Sequence, residues 1–254
     1  MAAEGDSNRI IQGLWIGAEL SVMERLSVSS FLSNGHEYHL YVYDEMKGIP
    51  AGTVVKDASE ILPASSIFQY KHQASYAGFA NFFRYKLLLE RGGWWVDTDV
   101  VCLKPFDFAG EHVFATEMCR GEEVVTSGII KAPVGSPLMA YAWGVCQQKN
   151  PQELVWGETG PRLMMDAVGR FSLSRCKQPF QVFCPLDYSE WHRMLEPDFE
   201  GTFGASTYAV HLWNEMWRDA GQDKNADYNP ACLYERLKRK YQVGPTSERG
   251  RRQP

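Results

Sequence analysis

No apolar run in this chain of 254 residues approaches the roughly 20 residues that a membrane-crossing helix needs. No cysteine pair has C-x-x-C spacing. The six cysteines (Cys102, Cys119, Cys146, Cys176, Cys184 and Cys232) are scattered, which argues against a zinc ribbon and against a disulfide framework. No P-loop signature is present, and no second acid-rich motif that would furnish a two-metal hydrolase site. The opening stretch, Met1 to Asn8, is short and acidic, unlike a secretory leader. These absences set the expectation of a soluble protein in a reducing, cytoplasmic setting.

Basic residues are also in deficit, 26 Lys and Arg against 31 Asp and Glu, for a net charge of −5. From Glu235 onward the balance reverses: Arg236, Lys238, Arg239, Lys240, Arg249, Arg251 and Arg252 face only Glu235 and Glu248. The tail is thus near +5 and the body near −10. Such an acidic body excludes general nucleic-acid binding, which needs a basic footprint. The basic tail suits peripheral contact with the inner face of an anionic membrane, or else a solvated helix and frayed end.

What is present is an ordinary globular composition, 44% apolar and 22% charged, with eight tryptophans. Residues 10–16 read as a buried strand closed by Gly17. Ser21 caps a helix over 22–33 that ends at Asn34-Gly35. A strand over 38–43 completes a βαβ opening. A wide apolar face built on Phe79, Phe83 and Leu87 predicts a helix over 75–91, followed by Gly92-Gly93 and a strand over 94–96. Further strands are expected at 100–103, 113–115, 124–130 and 208–213, and helices at 137–148, 161–168 and 230–241. The expected organisation is a flexible start over 1–9, one domain over 10–243, and a flexible basic tail over 244–254.

The strongest signal is Gly92-Gly93-Trp94-Trp95-Val96-Asp97-Thr98-Asp99. Carboxylates two apart on an extended chain point to one side, and Asp97 and Asp99 would offer hard oxygen ligands to Mg²⁺ or Mn²⁺. The competing reading is two turn carboxylates facing water. The apolar flanks Val96 and Val100-Val101 favour a compensated pair. Asn81 and Arg84 share a helical face, where Arg offers a donor fork and Asn both donor and acceptor; the alternative is a plain surface. His211, in Val210-His211-Leu212-Trp213-Asn214, is either a neutral-imidazole metal ligand or a core histidine. Trp15 is either a planar platform for a base or a core side chain.

At these residues the chain resembles the DXD-containing sugar-binding glycosyltransferases. That group includes bacterial capsule and lipopolysaccharide sugar transferases, fungal initiating mannosyltransferases and α-1,4-galactosyltransferases, with the clostridial glucosylating toxins as distant relatives. The central stretch from Phe83 to Asp99 carries the likeness. Leu14-Trp15-Ile16-Gly17, Glu158-Thr159-Gly160-Pro161 and His211-Leu212-Trp213-Asn214 with Trp217 follow in the family's order. The resemblance implies an α/β fold of the GT-A type, a central mixed sheet flanked by helices. It implies retaining transfer of a hexose from a nucleotide-sugar, a UDP-sugar first among them, to a glycan or lipid-linked saccharide.

On that resemblance Asp97 and Asp99 carry catalysis, and Trp15, Asn81, Arg84, Gly93 and Asp97 bind the donor. Asp99, Asp97 and His211 would hold Mn²⁺ or Mg²⁺. The acceptor is expected on loops within 170–206. One departure stands out: the family commonly carries Ser-Asp where this chain has Ala80-Asn81. A nucleotide-sugar-binding protein that has lost catalysis is therefore the alternative.

Overall fold

The structure is a computed structural model that describes residues 8–199, 201 and 203–244. The basic end at 245–254 and most of the acidic start, 1–7, lie outside the described residues. The chain opens with β1 (Ile10–Leu14), α1 (Val22–Ser33) and β2 (Glu37–Val42). Helix α1 begins where expected because Ser21 and Glu24 form a reciprocal capping box. Met23 donates to Ser21 Oγ at 3.2 Å, and the Ser21 amide donates to Glu24 Oε2 at 2.9 Å. A short strand that the sequence pattern did not reveal, β3 (Val54–Asp57), follows.

Helix α2 (Ala77–Arg91) then runs into β4 (Gly93–Val96) through Gly92. Gly92 has φ +63°, and a Cβ there would lie 2.6 Å from the Val134 amide nitrogen. Only glycine permits so tight a reversal from helix to strand. Strand β5 (Val100–Cys102) precedes a long hairpin of β6 (Val113–Cys119) and β7 (Glu122–Ala132), both longer than the sequence suggested. The remainder comprises α3 (Pro137–Gln147), α4 (Leu163–Arg170), β8 (Lys177–Gln178), α5 (Phe180–Phe183), β9 (Ala209–His211), α6 (Asn214–Asp219) and α7 (Leu233–Lys240).

Seven strands form one mixed sheet in the order β3-β2-β1-β4-β7-β6-β8, while β5 and β9 pair separately. Strand β1 lies parallel to both β2 and β4, and β4 is antiparallel to β7. The chain passes from β1 to β2 on one side, and β4 joins on the other. The carboxyl ends of β1 and β4 therefore flank a topological switch point, where open α/β sheets bind ligands. Apolar cores fill both faces of the sheet, one under α1 and α7, the other under α2, α3 and α4. No helix among the described residues is long and apolar enough to cross a membrane.

Candidate active site

The switch point opens into a cavity of about 820 Å³. Trp15, just beyond β1, and Asp97 and Asp99, just beyond β4, line it together with Asn81, Arg84 and His211. Asp97-Thr98-Asp99 is a turn rather than the extended segment expected. The cause is topological: β4 belongs to the large sheet and β5 to the small one, so the chain must change direction between them. The Val100 amide closes the turn on the Asp97 carbonyl at 3.2 Å. Both carboxylates still face one cavity.

Each aspartate meets a cation from another element, Asp97 from the preceding helix α2 and Asp99 from β9 far along the chain. Arg84, on α2 and only 3% exposed, places Nη2 3.0 Å from Asp97 Oδ1, while Asp97 keeps 28% exposure toward the cavity. The same guanidinium donates to the Ser127 carbonyl and lies 4.9 Å from the Trp95 ring centre. Trp95 Nε1 donates to Asp97 Oδ1 at 2.8 Å. On the other side His211 Nε2 lies 3.2 Å from Asp99 Oδ1, and the Asn214 amide donates to Asp99 Oδ2 at 2.9 Å. Trp213 packs on the His211 ring at 3.9 Å between centres. Trp213 itself adopts φ +59°, a left-handed backbone uncommon for a bulky residue, and so turns the chain into α6.

Burial lifts the Asp97 carboxyl above its ordinary range, despite the opposing Arg84 charge. Burial would do the same to Asp99, but the His211 charge and hydrogen bond, with the Asn214 amide, outweigh it and hold Asp99 below its ordinary range. His211 is correspondingly raised well above an ordinary histidine, its desolvation outweighed by Asp99. The floor thus holds two salt pairs, Arg84 with Asp97 and His211 with Asp99. A cation bound at Asp99 would replace the imidazolium proton, since metal ligation requires neutral imidazole. The two carboxylates are hard oxygen ligands of the kind that Mg²⁺ or Mn²⁺ takes. Gly128 leaves room beside them: a Cβ there would sit 3.1 Å from Asp97 Oδ2.

Asn81 is buried and donates Nδ2 to Thr159 Oγ1 at 3.3 Å, and Tyr85 donates to the Thr159 carbonyl at 2.7 Å. The Thr159-Gly160-Pro161 element therefore rests on α2 as a π-turn, Glu158–Arg162, that breaks at Gly160. Glu158 points elsewhere, to Lys149 Nζ at 2.5 Å and the Val155 amide at 3.1 Å.

Two expectations meet a different geometry. Gly93 does not line the cavity; it begins β4, three residues before Val96, and faces Gln12, whose Nε2 is 3.3 Å from a Cβ built there. Its positive φ of +86° serves the helix-to-strand reversal. Of the stretch 170–206, only Tyr188 lines the cavity among the described residues. The sequence reading also passed over Glu117, Thr126, Trp156 and Glu215, all of which line it. Glu117 reaches the site through the β6–β7 hairpin, and burial raises its carboxyl pKa. Its side-chain oxygen, Cys184 Sγ and a His211 ring nitrogen lie within 4.8 Å of one another.

A mixed sheet with paired acids at its switch point defines an α/β protein with a ligand site at the carboxyl ends of its strands. Residues 21–116 match the glycosyltransferase sugar-binding region containing the DXD motif, and residues 147–242 match the alpha 1,4-glycosyltransferase conserved region. Together these regions take in about three quarters of the chain. The chain thus carries the sugar-binding region of the DXD-containing glycosyltransferases and is related to the α-1,4-glycosyltransferases. It is 26% identical over 183 residues to the alpha-1,4-N-acetylglucosaminyltransferase of Homo sapiens, a match over 63% of this chain and 51% of the relative. The chain thus spans about half the length of that curated relative.

Among solved structures, the WbbM bifunctional glycosyltransferase superposes with a TM-score of 0.51 at 12% identity, over 94% of this chain and 50% of that one. The PaToxG glycosyltransferase gives 0.48 at 15% identity, over 93% of this chain and 86% of that one. The fold is that of the GT-A-type glycosyltransferases.

Proposed function

We propose that this chain transfers a hexose, with retention, from a UDP-sugar to a glycan or lipid-linked saccharide, at the site around Asp97 and Asp99. The observation that carries this reading is the pair of aspartates at the switch point, each charge-paired on the floor of one cavity. Asp99, with His211 and Asp97 beside it, would hold Mn²⁺ or Mg²⁺. Such an ion supplies Lewis-acid stabilisation of charge on a departing diphosphate. The chain's own residues do the rest. Arg84 spends its donor fork on Asp97, the Ser127 carbonyl and the Ala80 carbonyl, and so fixes the floor on which the donor sugar would lie. Trp15 borders the nucleoside base, with the Lys224 amine 5.3 Å from its ring centre. Residues of α2 and the β6–β7 hairpin wall the cavity around it. The reducing, cytoplasmic setting is part of the same proposal.

The test is incubation with a panel of UDP-sugars and Mn²⁺. Release of intact UDP, abolished in Asp99→Asn, is the expected result; unchanged release in that variant would sink the assignment. One observation favours a second reading. Asn81 takes the place of the family's usual Asp, and its amide is committed to Thr159. If the protein binds donor without turning it over, Asn81→Asp should raise turnover substantially.

A further inference from the structure

Six large hydrophobic side chains are exposed among the described residues: Val55, Tyr76, Val134, Val155, Trp156 and Met165. Three of them, Tyr76, Trp156 and Met165, line the mouth of the cavity just described, and Val155 adjoins Trp156 in sequence. Apolar surface scattered singly needs no explanation, but a cluster at the rim of a ligand cavity marks a binding surface. Trp156 is 42% exposed, Tyr76 37% and Met165 46%.

The cluster is held in place. Tyr70, itself buried, packs on Trp156 with ring centres 5.0 Å apart and planes 46° apart. Tyr70 can lie there because residue 78 is glycine; a Cβ at Gly78 would come within 3.0 Å of Tyr70 and of Phe68. Gly157, with φ +77°, turns the chain directly after Trp156, and the π-turn that follows carries Arg162 to the cavity wall and leads into Met165 on α4.

The rim also stands well away from the floor. Tyr76 caps the start of α2 and Arg84 lies eight residues along it, an axial separation of about 12 Å at 1.5 Å per residue. Polar groups share this end of the cavity: Ser75 Oγ lies 3.4 Å from Glu215 Oε2, and Arg218 donates to the Ala74 carbonyl at 2.8 Å. Flat aromatic surface beside carboxylate, hydroxyl and guanidinium groups matches a saccharide, which has one C–H face and a rim of hydroxyls.

We infer that Trp156, with Tyr76 and Met165, forms the acceptor subsite, stacking on the apolar face of a saccharide while Glu215 and Ser75 meet its hydroxyls. This deepens the transferase reading and rests on it for the word acceptor. The subsite lies on the π-turn and the start of α2, not on the 170–206 loops.

The experiment is saturation-transfer NMR of the intact protein with the methyl glycosides of galactose, glucose, mannose and N-acetylglucosamine, in wild type, Trp156→Ala and Trp156→Phe. The expected result is transfer to C–H protons of one ring face of at least one glycoside. Affinity should fall at least about tenfold in Trp156→Ala and largely recover in Trp156→Phe. The melting shift produced by UDP with Mn²⁺ should be the same in all three proteins, which verifies that each is folded and that the donor end is intact. No transfer from any glycoside, or equal transfer in Trp156→Ala, would overturn the inference. Saccharide binding that depends on Trp156 without release of UDP would instead leave the subsite standing and count against the transferase reading.

Discussion

At the floor of the cavity Arg84, Asp97, Asp99 and His211 form two charge pairs, one linking α2 to the turn after β4, the other linking that turn to β9 far along the chain. At its mouth Tyr76, Trp156 and Met165 carry no charge, stay part-exposed and lean on ring packing. The floor is preorganised: its dipoles and charges are fixed before any ligand arrives, which is what stabilising a developing charge requires. The mouth offers shape and apolar area, which can be altered at little cost to the fold. The two ends should therefore respond very differently to substitution.

Gly92→Ala should break the floor most severely. The added methyl meets the Val134 amide nitrogen at 2.6 Å, and φ +63° is strained for any side chain. A loss of roughly 3 kcal/mol or more, measured by urea unfolding, is expected. Arg84→Met comes next. It leaves Asp97 without its cation, and since Asp97 keeps access to the cavity, the loss should be about 2–3 kcal/mol rather than the full penalty of a sealed charge.

The third effect is on pH dependence in the metal-free protein. His211 is raised in the fold, so its contribution is fully present below the unfolded value of about 6.5 and is lost as pH rises through its higher folded value. Asp99 is depressed, so its contribution is present above about 3.9 and is lost as pH falls through its lower folded value. His211→Gln should therefore weaken both limbs of a stability–pH curve. Trp156→Ala should leave that curve unchanged in shape. Its cost in stability should be the smallest of the four, within about 1 kcal/mol, because the ring is already part-exposed. A rim variant as damaging as Arg84→Met would erase the distinction between the two ends.

The floor was legible in the sequence and the mouth was not, for a physical reason. Gly92-Gly93 and the Asp97-Thr98-Asp99 triplet sit between a strongly amphipathic helix and apolar strand residues, so local pattern places them. Ser21 as cap placed the start of α1 in the same way. The Asp97–Asp99 segment reads as extended because a strand flanks it on either side, whereas the partners of those strands, β7 and β9, belong to different sheets. Glu117 gave no local signal, since only the β6–β7 register brings it to the cavity. Trp156 carries no local sequence signal; it sits directly before the left-handed Gly157 and the turn beyond it. Six-residue α6 escaped notice because it starts at a tryptophan in a left-handed conformation rather than at a capping residue.

The most direct test of the account is the melting temperature of the purified protein with UDP, GDP or CMP, each with and without Mn²⁺. A ligand at a hundredfold excess over its Kd stabilises the native state by about 2.7 kcal/mol, a rise of several degrees for a domain of this size. The account predicts such a rise with UDP that requires Mn²⁺ and vanishes in Asp99→Asn. A rise with GDP alone would keep the site and change the donor. No rise with any nucleotide, or a rise indifferent to Mn²⁺ and to Asp99, would contradict a metal–diphosphate site at the floor.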